Sequence, residues 1–262
     1  MDIQKRRDIP GDLGIVGVGA IAEAIVTGLC EAEDTPTSIH LSPRSAGRAS
    51  RLAARYPSVQ VAESNPTVVD RADVVLLCMR PQDARAALPN LPFRPEQAVI
   101  SVMAGVRMGA LRALVAPAED LVRAIPLPAV ARRSGLTAIH PEHELARAIF
   151  DALGGAIAVD DEGMLDALSA STATIAAHLA YLDTISRWLA ARGIPPADAT
   201  RYVAAVFGAL SGTEPDDFRT LADEYATAGG INEQFLAALR RAGTFEIVEG
   251  LLDDVVDRLV EE

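Results

Sequence analysis

Short apolar runs alternate with helical segments along the first 159 residues. Strands are predicted at 13–18, 38–41, 59–62, 73–79, 98–102 and 121–124, with edge strands at 135–140 and 156–159. Helices are predicted between them at 21–31, 46–55, 67–70, 82–88 and 108–114. The continuous apolar run DVVLLCM at 73–79 is typical of a strand buried on both faces of a parallel sheet. The alternation predicts a doubly wound α/β sheet.

The pattern changes after Asp160, where apolar residues recur at helical spacing and no strand signal remains. Helical segments are predicted over 162–193, 195–210, 216–226 and 232–259. The Ala-rich stretch 169–190 has little polar face, which is typical of a helix buried against a partner subunit. The second part of the chain is therefore predicted to be all-helical.

The distribution of charge changes at the same place. The chain has 262 residues and a net charge of −12. Residues 1–159 hold 17 basic and 17 acidic side chains, whereas residues 160–262 hold 7 basic and 19 acidic ones. We therefore predict two domains, 1–159 and 160–262. The acidic second half argues against nucleic acid and anionic membrane partners, and no apolar run approaches the ~20 residues of a membrane span.

The rare residue types exclude several chemistries. The single lysine, Lys5, lies in the N-terminal tail, which excludes Walker-A phosphate binding and Schiff-base catalysis by the folded body. Cys30 and Cys78 lie in apolar stretches and are predicted to be reduced thiols of a cytoplasmic protein. The charged residues 1–8 are not followed by the apolar core of a secretory signal. His140 and His143 lack further ligands nearby, so no metal site is predicted.

The motif GVGAIA at 17–22 follows the first predicted strand and opens a helix. This G-x-G-x-x-A pattern is typical of dinucleotide binding. Gly17 permits the tight turn, Gly19 lets the backbone approach a pyrophosphate, and Ala22 lets the helix pack closely on the strand. The backbone N–H groups of Ala20 and Ile21, at the start of the helix that follows, can bind phosphate.

The end of the second predicted strand indicates which dinucleotide is bound. The stretch LSPRS at 41–45 contains no acid that would accept a hydrogen bond from the ribose 2′-hydroxyl of NAD. Ser42, Arg44 and Ser45 can instead hold a 2′-phosphate, since arginine binds phosphate by charge-assisted hydrogen bonds. The sequence therefore favours NADPH over NADH.

Taken together, these motifs and those after the later strands resemble the pyrroline-5-carboxylate reductase family. The matching stretches are GVGAIA at 17–22, SPRS at 42–45, Asn65, ADVVLLCMRPQ at 72–82, ISVMAG at 100–105, RAIPLPAVARRSGLTA at 123–138 and ATAGGIN at 226–232. The resemblance spans nearly the whole chain. It implies a Rossmann-type doubly wound parallel sheet followed by an all-α C-terminal dimerisation domain, with the active site between the nucleotide domain and helices shared by two subunits.

The resemblance also implies an activity and the residues that carry it. Hydride would pass from NADPH to the C=N carbon of a small cyclic imino acid, as in L-proline biosynthesis. Further cofactor contacts would come from Asn65, Met79, Arg80, Pro81, Ala104 and Gly105. The backbone N–H groups of Gly229, Gly230 and Ile231 would hold the substrate carboxylate. Asn232 would donate a hydrogen bond to the imine nitrogen, with Ser171 and Thr172 as further polar catalytic candidates.

Departures from the family pattern concentrate in the substrate half. The segment SASTATI at 169–175 stands where the family has S-G-S-G-P-A-Y, and Ile231 and Asn232 stand where it has threonines. Leu127 replaces a polar residue near the nicotinamide, and Arg80 replaces a lysine. Two alternatives therefore stay open, a non-catalytic dinucleotide-binding or redox-sensing protein and a deazaflavin-linked NADP oxidoreductase. A homodimer or a larger assembly of dimers is expected.

Overall fold

The computed structural model describes residues 11–32, 38–212 and 217–261. The chain divides into two compact units. The first contains the chain up to Ser169 together with the last few residues from Leu259, and the second contains Ala170–Arg258. Lys5 and the charged residues 1–8 lie outside the described residues.

An eight-stranded sheet forms the centre of the first unit, in the order β3-β2-β1-β4-β5-β6-β7-β8. The strands are β1 (Asp12–Val16), β2 (Ser38–Leu41), β3 (Val59–Val61), β4 (Val74–Leu77), β5 (Ala98–Ser101), β6 (Leu121–Ile125), β7 (Thr137–His140) and β8 (Ala156–Ala158). Strands β1 to β6 are parallel, β7 runs antiparallel to β6, and β8 is parallel to β7. The predicted doubly wound sheet is confirmed.

Helices cover both faces of this sheet. They are α1 (Ala20–Cys30), α2 (Ala46–Arg55), α3 (Asn65–Arg71), α4 (Pro81–Ala87), α5 (Met108–Leu114) and α6 (Glu144–Asp151). One apolar cluster contains Ile25 of α1 and Phe150 of α6, and a second contains Val68 of α3 and Leu111 of α5. Strand β4 contributes alternate residues to the two clusters, which explains why its sequence is apolar without interruption.

The second part of the chain is helical, as predicted. Its helices are α7 (Glu162–Ser171), α8 (Thr174–Ala190), α9 (Pro196–Gly208), α10 (Phe218–Tyr225), α11 (Ile231–Arg241) and α12 (Thr244–Glu261). The break between α11 and α12 contains Gly243, whose φ of +67° ends the helix in the left-handed region that glycine favours. Residues 213–216, including the predicted start of a helix at 216, lie outside the described ranges.

The division between the units follows Ser169, whereas the charge pattern predicted a boundary after residue 159. Helix α7 accounts for the difference. Its Leu165 and Asp166 are almost fully buried in the first unit, and Asp166 forms an ion pair with Arg123 of β6. Packing therefore assigns most of α7 to the sheet, although its acidic composition resembles that of the later helices.

Candidate functional site

The glycine turn after β1 has the geometry that the motif predicts. Gly17 has a φ of +95°, and a Cβ atom there would lie 2.8 Å from the backbone nitrogen of Met79. Both the dihedral angle and the close approach of the backbone that follows β4 therefore require glycine. The Gly17 N–H donates a hydrogen bond to Ser42 Oγ at 2.9 Å, which ties the turn to the end of β2.

Helix α1 begins behind this turn without a side-chain cap. Gly19 is its N-cap residue and has no side chain to accept a hydrogen bond from the first turn of the helix. A Cβ atom at Gly19 would meet its nearest heavy atom, Cys78 O, only at 3.9 Å. The space in front of the helix is therefore open, and the N–H groups at Ala20 and Ile21 suit a pyrophosphate. These features fit a dinucleotide.

Ser42 and Arg48 stabilise the glycine turn by hydrogen bonds. Ser42 is almost fully buried, and its hydroxyl accepts the Gly17 N–H. Arg48 donates to Glu23 Oε2 at 2.6 Å and to the Val18 carbonyl at 3.2 Å, which links α2 to α1 and to the glycine turn. The Ser42 hydroxyl accepts in this contact and can still donate a hydrogen bond, so its predicted contact with a 2′-phosphate stays a prediction.

Two exposed arginines lie on the loops at either side of β1. Arg44 follows β2 and Arg80 follows β4, and these two strands flank β1 in the sheet. Both guanidinium groups approach Asp83 Oδ2, Arg80 through Nε and Nη2 at 3.2 Å each and Arg44 through Nη1 at 3.7 Å. Asp83 was not singled out from the sequence. A pair of guanidinium groups beside the glycine turn is suited to a phosphate ester.

The other predicted cofactor residues follow neighbouring strands at the same edge of the sheet. Asn65 begins α3 after β3, and the half-buried Met79 packs its backbone against Gly17. Ser45 lies next to Arg44 after β2, and Pro81 is the first residue of α4, next to Arg80. Ala104 and Gly105 follow β5; Ala104 is exposed and Gly105 has a φ of +76°. The carboxyl ends of parallel strands meet at one edge, which therefore assembles these positions.

A buried ionic cluster joins β6, α5 and α7. Arg123 donates to Glu162 at 2.7 Å and to Asp166 at 3.0 Å, and Glu162 also accepts the Met108 N–H at 2.6 Å. Burial raises the pKa of Glu162, but the Met108 N–H and the Arg123 guanidinium outweigh burial and hold it below the ordinary value. The sequence signal for this cluster was an arginine inside an otherwise apolar strand.

The second unit contains the predicted substrate turn. Gly229 has a φ of +73°, and a Cβ atom at Gly230 would lie 2.7 Å from Thr227 Oγ1. Gly230 is the N-cap residue of α11, which has no side-chain cap of its own. The side chain of Ile231 is 84% exposed. The glycine pair is thus needed for the turn, which is closed by a hydrogen bond from the Gly230 N–H to the Thr227 carbonyl at 2.8 Å and directly precedes α11.

Two side chains of α11 fold back onto this turn. The Gly229 N–H donates to Glu233 Oε2 at 2.7 Å, so an internal carboxylate already uses one donor predicted for the substrate. Asn232 Nδ2 donates to the Tyr225 carbonyl at 3.1 Å. Because a carbonyl only accepts, this contact fixes the orientation of the amide and leaves Asn232 Oδ1 as its acceptor. The contact uses one of the two Nδ2 hydrogens, so the predicted hydrogen bond from Asn232 to an imine nitrogen stays a prediction.

Ser171 and Thr172 lie at the junction of α7 and α8. Ser171 is the last residue of α7, and its carbonyl accepts a hydrogen bond from Thr174 Oγ1 at 2.7 Å. The Thr172 carbonyl accepts the Ile175 N–H at 3.1 Å. These backbone contacts close the junction without the glycines and proline of the family pattern.

Within the described ranges, no group of three or more His, Cys, Asp or Glu side chains is placed to hold a metal ion. None of the described helices has the length and apolar character needed to cross a membrane.

One protein family matches the first unit. The family described as "NADP oxidoreductase coenzyme F420-dependent" matches residues 12–105, which extend from β1 to the loop after β5. This stretch contains the glycine turn and both exposed arginines. The match therefore concerns the nucleotide-binding part of the chain.

Individual relatives extend the match to the helices. The chain is 29% identical to pyrroline-5-carboxylate reductase of Pseudomonas aeruginosa over 168 residues, 60% of this chain and 61% of that enzyme. It is 24% identical to pyrroline-5-carboxylate reductase 2 of Bacillus subtilis over 95% of this chain and 94% of that one. The NADP-bound structure of Plasmodium falciparum pyrroline carboxylate reductase, 16% identical, superposes with a TM-score of 0.81 over 97% of this chain and 99% of that one. The resemblance is confirmed: the chain is similar to pyrroline-5-carboxylate reductases in sequence and in fold over nearly its whole length.

Proposed function

We propose that the protein is an NADPH-dependent reductase of small cyclic imines, with chemistry like that of pyrroline-5-carboxylate reductases. The observation that carries this proposal is the open glycine turn before an uncapped α1, with the Arg44 and Arg80 guanidinium groups on the flanking loops. The relatives named above add the reaction class. Production of L-proline or of a related cyclic amino acid is the corresponding role.

The first unit binds and orients the cofactor. The N–H groups of α1 hold the pyrophosphate, and Arg44 and Arg80 hold the 2′-phosphate. Ala104 and Gly105, with Asn65, Met79 and Pro81, line the same edge of the sheet. When bound, NADPH supplies the hydride. Catalysis then depends mainly on holding donor and acceptor in transfer geometry, and no lysine is required.

The second unit binds the imine. The N–H group of Ile231 binds the substrate carboxylate, and those of Gly229 and Gly230 join once they release Glu233 and the Thr227 carbonyl. Asn232 Oδ1 accepts a hydrogen bond from the N–H of the protonated imine, which favours the iminium form that takes up hydride. The carbon of the C=N bond gains the hydride, and the nitrogen keeps its proton as the product amine. Ser171 and Thr172 supply further polar contacts to the substrate.

The active form is a homodimer or a larger assembly of dimers, associated through the helical unit. Within 170–210 and 217–258, only Ala170, Ala199 and Val203 are buried. Large apolar side chains are exposed instead, and α8 and α9 border an apolar groove of about 570 Å³. A helical unit with so many large apolar side chains exposed is typical of one that forms an interface with another subunit. A cytoplasmic location is part of the proposal, supported by the two unpaired cysteines.

Turnover with defined imines tests the proposal. Purified protein is mixed with NADPH and either pyrroline-5-carboxylate or a panel of small cyclic imines, and NADPH absorbance is followed. Loss of absorbance that depends on an imine supports the reductase. NADPH binding without turnover on any imine would favour the alternative of a redox-sensing protein.

A second candidate is a deazaflavin-linked NADP oxidoreductase, which is favoured by the family match over residues 12–105. The same assay with a reduced deazaflavin and NADP separates the two. Reduction of NADP by the deazaflavin, with no turnover of imines, would replace the first proposal.

Substitution of Arg44 tests the choice of cofactor. Arg44→Ala is expected to weaken NADPH binding by about tenfold and NADH binding by much less, because only NADPH carries the 2′-phosphate. Fluorescence titration with both dinucleotides measures this. An equal loss of affinity for NADPH and NADH would show that Arg44 does not contact the 2′-phosphate.

A further inference from the structure

Three charged side chains form a compact cluster beside the glycine turn. We call Arg44, Arg80 and Asp83 the arginine–aspartate cluster. All of its contacts converge on one oxygen, Asp83 Oδ2, which lies 3.2 Å from Nε and Nη2 of Arg80 and 3.7 Å from Nη1 of Arg44. The side chains of Arg44 and Arg80 are 72% and 75% exposed, whereas that of Asp83 is 26% exposed. The acid is thus the least exposed member of the cluster.

The backbone fixes the acid more firmly than the arginines. Asp83 lies in the first turn of α4, and its N–H donates to the Arg80 carbonyl at 3.0 Å. Its carboxylate therefore leaves a helix at a defined place. The two arginines are long side chains on loops, and exposed ion pairs hold such side chains only weakly. A stronger anion can draw the guanidinium groups away, but it cannot move Asp83 far.

A 2′-phosphate and Asp83 compete for the same donors. With the two arginines in their present positions, a phosphate that contacts both guanidinium groups lies within a few ångströms of the carboxylate, because the two groups meet at Asp83 Oδ2. Like charges at this separation repel. Moving the arginines away from Asp83 instead breaks their ion pairs with it. A ribose 2′-hydroxyl meets no such repulsion and can donate a hydrogen bond to the carboxylate.

We propose that Asp83 is a specificity-determining residue that weakens binding of the 2′-phosphate at the Arg44–Arg80 pair and so keeps NADH usable beside NADPH. This inference rests on the proposed cofactor site and extends it, since the two arginines alone would make the site far more selective for NADPH. Asp83 sets the degree of preference rather than its direction.

Calorimetric titration of the full-length protein with two adenosine nucleotides tests this directly. Adenosine 2′,5′-bisphosphate carries the 2′-phosphate, and adenosine 5′-diphosphate does not. Asp83→Asn is expected to tighten binding of the first by about tenfold and to change binding of the second by less than about twofold. Asp70→Asn serves as the charge-matched control, because Asp70 is an exposed acid of α3 close to the start of β4, at the opposite edge of the sheet.

Two further measurements sharpen the result. The gain from Asp83→Asn should shrink at high salt, because the charges are exposed, and it should disappear in the Arg44→Gln/Asp83→Asn double variant. In steady-state assays, the ratio of KM for NADH to KM for NADPH should rise in Asp83→Asn by about the same factor as the binding ratio.

The outcomes separate this inference from the proposed function. If the unaltered protein binds the 2′-phosphorylated nucleotide and Asp83→Asn binds it no better, or only as well as Asp70→Asn does, the role of Asp83 is overturned while the cofactor site stands. If the unaltered protein binds neither nucleotide nor NADPH, the cofactor site itself is wrong, and the role of Asp83 falls with it.

Discussion

The nucleotide-binding unit and the helical unit differ in how they bury apolar residues. In the first, two apolar clusters lie on the two faces of the sheet, and strands such as β4 are buried throughout. In the second, the described residues from Ala170 to Arg258 include only three buried positions, while Leu179, Trp188 and Tyr202 are exposed. The first unit thus contains its own core, and we expect the second to find its core against another copy of the chain.

This difference also divides the chemistry. The proposed ligand contacts of the first unit come from loops that follow buried strands, so packing of the sheet fixes the positions of these loops. Those of the second unit come from the turn before α11, where exposed side chains compete for the donors. Five predictions test or refine this contrast, from the largest expected effect to the smallest.

The largest effect is expected from opening the buried cluster of the first unit. Arg123→Gln should lower the free energy of unfolding by about 3–5 kcal/mol, because it leaves the buried Asp166 carboxylate with only the longer contact to Arg107 at 3.8 Å. Urea denaturation measures the change. The exposed Arg112→Gln on α5 is the control and should change stability by less than about 0.5 kcal/mol. Similar values for both variants would contradict a self-contained core closed by this cluster.

Disruption of the apolar surface of the second unit should act on assembly. Leu179 on α8 is 60% exposed, and Leu179→Glu should raise the dissociation constant of the dimer by about 100-fold through burial of a charge at an interface. Light scattering after size-exclusion chromatography measures this at several concentrations. Leu136→Glu, at an equally exposed leucine of the first unit, should leave the dimer intact. If both variants dissociate the dimer, or if neither does, the exposed apolar surface of the second unit is not specifically the dimer interface.

The two glycines of the turn should separate folding from binding. Gly17→Ala places a side chain at positive φ and against Met79, so we expect a lower melting temperature. Gly19→Ala meets open space, so it should keep the melting temperature and weaken NADPH binding by about tenfold or more. Thermal unfolding and NADPH titration distinguish the two. Unaltered NADPH affinity in Gly19→Ala would show that the pyrophosphate does not approach this residue.

Removal of the internal carboxylate at α11 should affect only carboxylated substrates. Glu233→Gln should raise kcat/KM for pyrroline-5-carboxylate by about three- to tenfold, because a neutral amide competes less well for the Gly229 N–H and repels the substrate carboxylate less. The uncarboxylated imine 1-pyrroline should be unaffected. Glu249→Gln, an exposed acid of α12, is the control. A parallel change for both imines would place the effect outside the carboxylate site.

The smallest effect is expected from the pH dependence of the ionic cluster. The folded state holds the pKa of Glu162 below its ordinary value, so the contribution of Glu162 to stability is present above about pH 4.3, the unfolded value, and is lost as pH falls through the folded pKa. The difference in unfolding free energy between the unaltered protein and Glu162→Gln should therefore shrink in acid. A constant difference down to the acid limit of folding would contradict this.

Much of the first unit was predictable because its signals are local. A positive φ needs glycine, a strand buried on both faces needs an uninterrupted apolar run, and parallel strands place their carboxyl ends at one edge. Gly17, Gly19 and the run at 73–79 therefore led to the fold, and the loops at 42–45 and 79–81 led to the cofactor edge. The helical half was predicted as helical, and the breaks after α8, α9 and α10 were located. The breaks between α7 and α8 and between α11 and α12 were missed, since apolar periodicity continues across them.

The sequence by itself determined the doubly wound sheet, the helical second half, the glycine turns and the resemblance to a reductase family. Only the tertiary structure showed that α7 belongs with the sheet, that Asp83 lies between Arg44 and Arg80, and that Glu233 and Asn232 fold back onto the substrate turn. The physical reason is that charged and amide side chains form ion pairs and hydrogen bonds with groups that are close in space, wherever those groups lie in the sequence. The identity of a residue reveals that it needs a partner, and the folded backbone decides which partner is within reach.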